Sequence, residues 1–121
     1  MRRSPRADKL DHRAAEIAVV AGVQLEITVR GAGGHASMPH QAHDPVPVAC
    51  EIVTALQTLV TRQFDAHDPV VVTIARIEGG TAHNVIADFA KLKGTMRTLS
   101  PRHRARLHAA VQQLATGIAS A

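Results

Sequence analysis

Alternation of apolar and polar residues is clearest over residues 23–30, the first segment whose structure the sequence predicts. Val23, Leu25, Ile27 and Val29 are separated by polar residues. In an extended chain these four side chains project to one face, which is typical of a strand buried on one side. The glycine-rich stretch that follows interrupts the pattern, so we predict that the strand ends there.

Two later segments have the spacing of amphipathic helices. The first begins at Asp44-Pro45, where aspartate can cap the helix and proline fits its first turn, and it is predicted over residues 45–62. The second begins at Ser100-Pro101 in the same way. Apolar residues recur at helical spacing in both segments: Val48, Ala49, Ile52, Val53, Leu56, Leu59 and Val60, then Leu107, Ala110, Val111, Leu114, Ala115 and Ile118.

Two further strands are predicted between the helices, over residues 70–78 and 87–98. The element order is then strand, helix, strand, strand, helix. This order predicts an α+β domain of the ferredoxin-like, split βαβ type, with an antiparallel sheet and both helices on one face. That fold has one more strand, which would begin where the chain stops at Ala121, so we expect it to be missing. We therefore expect a sheet edge that is either unpaired or covered by another segment.

Residues 1–22 are harder to interpret than the rest. The Ala-rich stretch from Asp8 to Val20 could form a short helix, but its last four residues are equally typical of a strand. We expect residues 1–22 to be a linker or a remnant of an upstream region, and residues 23–121 to form one domain.

Composition limits the classes of function. The chain has 121 residues, 45% of them hydrophobic, and a formal net charge of +4. Much of the positive charge lies within the first thirteen residues and in a cluster at Arg102, Arg104 and Arg106, as on a solvated surface. A single cysteine fits a reducing compartment. No secretory signal or membrane-spanning run is apparent, so we expect a cytoplasmic protein without membrane association.

Three polar residues stand where glycine-rich loops or a strand can present them. His35 follows the first strand in Gly33-Gly34-His35, Asn84 lies in the connection that begins Gly79-Gly80, and Arg97 is on the polar face of the last strand. Arginine's planar fork suits a carboxylate. Taken singly, each residue type is common at surfaces and turns, so none decides a function.

Metal binding and nucleophilic catalysis have little support from the residues. His35, His40 and His43 have a spacing that invites a zinc site, but no carboxylate or cysteine completes the ligand set except Asp44, which suits a helix cap better. Ser37 lacks the strained elbow of hydrolase nucleophiles. Cys50 lies within the first helix among apolar neighbours, so we expect it to line the core. No metal site is expected in this chain.

In combination, the motifs resemble a known family. The segment from Gly31 to His40, then Asp44-Pro45, Gly79–Ile86 and Gly94–Thr98 follow the lid domain of the zinc metallopeptidases in order. That family includes aminoacylases, hippurate hydrolases and carboxypeptidase G-type enzymes. The resemblance covers about residues 23–119, and it is strongest to the N-acyl-amino-acid amidohydrolases.

The resemblance implies a function for the chain and for its three polar residues. It implies a lid that forms homodimers and caps an active site holding two zinc ions, or manganese or cobalt, in a separate catalytic domain. His35 would stabilise the oxyanion in the partner subunit's site, while Asn84 and Arg97 would bind an N-acyl amino acid or peptide. The family's metal-binding His-x-Asp segment and paired glutamates are absent here. The chain alone is therefore expected to be inactive, with no cofactor of its own.

The sequence departs from the family at one position, and it leaves two other functions open. Ala87 stands where members of the family usually have proline after the Asn-Val-Ile motif. We therefore expect a looser turn around Asn84. A free-standing ferredoxin-like module that binds a protein or small ligand without catalysis is the alternative. RNA binding fits less well, because RNA-recognition sheets stack bases on aromatic residues and the second and third predicted strands offer only Phe89. We therefore expect no nucleic-acid partner.

Overall fold

One antiparallel sheet and two helices make up most of the chain. The computed structural model describes residues 14–20, 24–37, 40, 43–64, 67 and 70–120, and of residues 14–20 the backbone only. Strands and helices run in this order: β1 Ala14–Val20, β2 Gln24–Arg30, β3 Gly34–His35, α1 Pro45–Gln63, β4 Val70–Gly79, β5 Val85–Ile86, β6 Phe89–Thr98 and α2 Pro101–Ser120. The predicted α+β class is confirmed.

The main sheet has four strands in the order β1-β2-β6-β4, and each neighbouring pair is antiparallel. β3 and β5 form a separate two-stranded ladder. The sequence did not predict β3 and β5, because two residues are too few to show a period. A bulge interrupts the β4–β6 register between Ile74 and Arg76.

The core lies between one face of the sheet and both helices. Alternate residues of β2 and β6 are buried, as their period-two pattern predicts. Both helices contact the sheet and each other, so they cover the same face. The buried side chains are Leu25, Ile27, Val29, Val70, Val72, Ala90, Leu92 and Met96 of the sheet, with Ala49, Ile52, Leu56, Leu59, Leu107, Val111, Ala115 and Ala119 of the helices.

Both helices begin where proline and a polar cap predict. The Asp44 carboxylate accepts a hydrogen bond from the Val46 amide at 3.0 Å, and Pro45 is the first residue of α1. The Ser100 hydroxyl accepts from the His103 amide at 3.4 Å at the start of α2. Of the two helices described, neither combines the length and apolar character that a membrane crossing requires.

The outer edge of β2 is paired within the chain. All seven residues of β1 pair with β2, from Ala14 opposite Arg30 to Val20 opposite Gln24. β1 thus lies beside β2, where the last strand of a ferredoxin-like fold would lie. Of the two alternatives expected for this edge, unpaired or covered by another segment, the second holds. Residues 1–13 and 21–23 lie outside the described residues, so the domain boundary at residues 22–23 stays a prediction.

The expectation that Cys50 lines the core is wrong, because its side chain is exposed. The buried residues of α1 are Pro45, Ala49, Ile52, Leu56 and Leu59. These positions form one stripe, and at 100° per residue Cys50 points away from it. The apolar residues next to Cys50 in sequence are therefore not its neighbours on the helix surface.

Candidate functional site

The two glycine-rich motifs meet in the ladder of β3 and β5. His35 pairs with Val85 in this ladder. Immediately beyond the pair, the Ala36 amide donates a hydrogen bond to the Asn84 carbonyl at 3.0 Å. His35 on β3 and Asn84 in the turn that precedes β5, some fifty positions apart in sequence, are therefore neighbours in the fold, and both are exposed.

A local hydrogen bond sets the tautomer of His35. Its Nδ1 accepts from the Ser37 amide at 3.0 Å. In a neutral imidazole one nitrogen accepts and the other carries the proton. The proton of neutral His35 therefore resides on Nε2, and the exposed ring offers an N–H donor to a bound group.

Asn84 lies in a tight turn between β4 and β5. Gly80 has φ of +81°, a left-handed conformation that favours glycine, and the Val85 amide donates to the Ala82 carbonyl at 3.4 Å. An open groove of about 330 Å³ lies between this turn and the start of β6. Val85 and Phe89 line it, and their side chains are 48% and 46% exposed. The groove therefore presents apolar surface beside the β3–β5 ladder.

Arg97 lies at the opposite end of the sheet from this ladder. β6 begins with Phe89, close to the ladder, and Arg97 is eight residues further along, where it pairs with Val71. At the usual rise of a strand, eight residues span roughly 26 Å. One chain therefore does not bring Arg97 to the same small molecule as His35 and Asn84.

The sheet face that the helices leave open carries most of the strand charges. Lys91 lies 3.6 Å from Glu26, and Lys93 lies 3.8 Å from Glu78, which also pairs with Arg76 at 2.6 Å. Arg97, by contrast, has no carboxylate partner within the described part of the chain and is exposed. Its guanidinium is thus available to an external carboxylate.

The residues considered for a metal ion are not gathered into a site. Within the ranges that the structure describes, no three His, Cys, Asp or Glu side chains form a group that could hold a metal. His43 instead bridges to Ala32 through its backbone, with N···O distances of 2.8 and 2.9 Å. The described residues therefore do not fit a metal ion.

Asp88 belongs to this site, and sequence analysis missed it. Its carboxylate accepts a hydrogen bond from the Gly33 amide at 2.8 Å, and its carbonyl accepts from the Gly31 amide at 2.8 Å. Both donors precede His35 in its loop. One sequence signal was available, since Asp88 is the only acidic residue after Glu78. Its long-range partners, however, follow only from the fold.

Comparison with known proteins places these motifs in a family. The sequence model of the peptidase dimerisation domain matches residues 19–120. N-acetyldiaminopimelate deacetylase of Priestia megaterium is 42% identical over 95 residues, covering 78% of this chain and 25% of the enzyme. The enzyme of the same name from Listeria monocytogenes is 42% identical over 113 residues, covering 88% of this chain and 30% of the enzyme. The chain thus spans between a quarter and a third of the length of these curated relatives.

Solved structures agree with the sequence comparisons. A Staphylococcus aureus protein assigned as an aminohydrolase superposes with a TM-score of 0.74 at 34% identity, covering 79% of this chain and 26% of that one. The YXEP protein of Bacillus subtilis, a dinuclear metal-binding peptidase, has a TM-score of 0.59 at 28% identity, covering 88% and 22%. With a family model that spans nearly the whole sequence, this chain belongs to the peptidase dimerisation domain family.

Proposed function

We propose that this chain is the lid and dimerisation domain of a metal-dependent amidohydrolase that cleaves N-acyl amino acids or peptides. The observation that carries the proposal is the β3–β5 ladder, which brings the backbones of His35 and Asn84 close together while the Nδ1 contact of His35 leaves its Nε2–H as the donor. Two relatives are named as deacetylases of N-acetyldiaminopimelate, an N-acyl amino acid. Another is a dinuclear metal-binding peptidase, which supports two metal ions, zinc, manganese or cobalt, in the longer enzyme.

His35 would act on the negative charge that forms during amide hydrolysis. When a nucleophile adds to the carbonyl carbon, the carbonyl oxygen becomes an oxyanion. The Nε2–H of His35 would donate to that oxygen, and an exposed ring held by its Nδ1 contact needs little rearrangement to do so. Asn84 would contact the substrate from the turn that precedes β5. The apolar groove lined by Val85 and Phe89 gives the substrate room beside Asn84.

The separation within the sheet supports a division of these residues between two different active sites. An extended substrate of three residues spans about 10 Å, less than half of the roughly 26 Å estimated along β6 from Phe89, next to the ladder, to Arg97. In a homodimer formed through the lid, each site would then receive His35 and Asn84 from one subunit and Arg97 from the other. Arg97 would bind the substrate carboxylate through its free guanidinium.

A chimaeric enzyme tests the proposal. Residues 19–120 replace the matching segment of the Listeria monocytogenes deacetylase, and hydrolysis of N-acetyldiaminopimelate is measured with saturating metal. His35→Ala is expected to lower kcat on the order of a hundred- to a thousandfold, as loss of an oxyanion donor does. His108→Ala, a histidine on α2 in the helix layer, is the matched control and should change little. An unchanged kcat in His35→Ala would remove His35 from the mechanism.

Mixed dimers test the division between subunits. Chimaeras carrying His35→Ala and Arg97→Ala are each expected to be nearly inactive. When their subunits are exchanged, half of the dimers are mixed, and each mixed dimer regains one complete site. Activity should therefore return to about a quarter of that of the unsubstituted chimaera. If both residues served the same site from one subunit, mixing would restore nothing.

The alternative, a self-sufficient module that binds a protein or small ligand, draws support from β1. Because β1 pairs with β2 along its whole length, the chain contains a four-stranded sheet by itself. This alternative predicts that the isolated chain binds N-acetyldiaminopimelate in calorimetry without any catalytic domain. Absence of binding by the chain, together with activity of the chimaera, would count against a module that binds this small ligand by itself.

A further inference from the structure

Asp88 connects the two loops of the candidate site through both of its acceptor groups. Its side-chain Oδ1 accepts from the Gly33 amide, and its main-chain carbonyl accepts from the Gly31 amide, each at 2.8 Å. Asp88 itself lies two residues beyond the end of β5. A single residue of the β5–β6 connection, four positions after Asn84, thus holds two amides of the loop that carries His35.

The β3–β5 ladder needs such support. It has only two residues on each strand, and even an isolated two-stranded hairpin is marginally stable in water. A hydrogen bond from an amide to an ionised carboxylate is stronger than one between neutral groups. Two lysines that follow Asp88 in β6 pair with other carboxylates, Lys91 with Glu26 and Lys93 with Glu78. The Asp88 carboxylate is therefore available to the Gly33 amide.

The close approach of the two loops requires glycine at position 33. A Cβ there would lie 2.5 Å from the Ile86 carbonyl oxygen and 2.6 Å from Asp88 Oδ1. Both distances are shorter than real Cβ contacts allow, and the Ile86 oxygen belongs to the backbone, so it cannot rotate away. Any larger residue at this position would push the loops apart.

We propose that Asp88 is a positioning residue, which sets the distance between His35 and Asn84 by holding the Gly33 amide. The inference rests on the proposed function, in which His35 and Asn84 act together on one substrate. Asp88 also lines the groove beside Asn84, but the effect proposed here acts through the Gly33 amide and not on the reacting atoms. The β3–β5 ladder fixes His35 only when the loop segment before β3, which contains Gly33, is anchored by Asp88.

Kinetics of the chimaera separate positioning from general stability. Asp88→Ala is expected to lower kcat by on the order of tenfold to a hundredfold with little change in KM, because a misplacement of about 1 Å has effects of this size. Asp88→Asn keeps an acceptor oxygen and should retain most of the activity. Gly33→Ala should reproduce the loss by separating the loops. Asp44→Ala is the matched control, since it also removes one aspartate–amide hydrogen bond but at the cap of α1.

A double-mutant cycle shows whether Asp88 acts through His35. In the His35→Ala background, Asp88→Ala is expected to cause no further loss of kcat, because the group that it positions is already gone. An equal loss in both backgrounds would overturn the proposal. So would an unchanged kcat in Asp88→Ala when His35→Ala is impaired, and that result would leave the proposed function standing.

Nuclear magnetic resonance of the 121-residue chain gives a readout that does not depend on activity. The Gly33 amide proton should resonate downfield while it donates to the carboxylate, and should move upfield in Asp88→Ala but not in Asp44→Ala. If His35→Ala leaves the chimaera fully active, the proposed function fails. The chemical shift of the Gly33 amide proton then decides alone whether Asp88 holds the Gly33 amide. An unchanged chemical shift in Asp88→Ala would overturn the positioning role of Asp88 as well.

Discussion

At Gly94, in the part of the chain that the structure describes, an added side chain would meet a severe obstruction. It lies in β6, between Leu25 of β2 and Ile74 of β4. A Cβ at this position would lie 1.8 Å from the Thr73 carbonyl oxygen and 2.9 Å from the Ile74 Cα. The β4 backbone passes this close beside the bulge that follows Ile74. Gly94→Ala should therefore separate β4 from β6.

The loss in the free energy of unfolding of Gly94→Ala can be estimated from the distance between the added Cβ and the Thr73 oxygen. To reach the 3.0 Å below which real Cβ contacts essentially never fall, the Thr73 oxygen must move from 1.8 Å by at least 1.2 Å. A shift of this size breaks the adjoining ladder hydrogen bonds, here about two, each worth about 1 kcal/mol. Overpacking of the added methyl group adds about 2 kcal/mol to this destabilisation. The lower conformational entropy of the unfolded alanine variant offsets about 0.7 kcal/mol of it. The free energy of unfolding should fall by about 3 kcal/mol.

Gly117→Ala is the matched control with the opposite sign. Gly117 is exposed in α2, and a Cβ there meets nothing within 4 Å, so alanine should raise the free energy of unfolding by about 1 kcal/mol through helix propensity. Thermal unfolding of the 121-residue chain, followed by circular dichroism, would show Tm shifts of about −12 °C for Gly94→Ala and about +4 °C for Gly117→Ala. Equal Tm values for Gly94→Ala and the unsubstituted chain would refute the close passage of β4.

Two further substitutions test the ends of α1. Asp44→Ala removes the cap on the Val46 amide and should lower the free energy of unfolding by about 1 kcal/mol, whereas Asp44→Asn, which keeps a capping oxygen, should lower it by much less in urea titrations. Arg106 donates to the Gln63 carbonyl at 2.7 Å and lies 4.8 Å from the centre of the Phe64 ring. Arg106→Ala should lower the free energy of unfolding by about 1 kcal/mol. Arg106→Lys should lower it by a similar amount, because lysine lacks the planar guanidinium that can donate a hydrogen bond and stack on a ring at the same time. Full stability of Arg106→Lys would show that the stacked geometry contributes nothing.

Local patterns predicted the strands and helices because each depends on neighbours in sequence. The alternation in β2 and β6 matches their buried and exposed faces, and the two proline starts match Pro45 and Pro101. Cys50 was misplaced because apolar neighbours in sequence do not define a helix face. His35 and Asn84 were predicted as site residues from resemblance, and the fold brings them together.

What the sequence determined by itself is therefore which residues turn toward the core, since strand and helix periods are local properties of the chain. Only the tertiary structure decided which distant segments are neighbours. It placed β1 on the edge of β2, joined the His35 and Asn84 loops through Asp88, and set Arg97 at the far end of the sheet. It also showed that Gly94, which in the alternating pattern resembles any small apolar residue, is required by the backbone passing beside it. Pairing between distant segments depends on the register and packing of the whole sheet, which no short stretch of residues encodes.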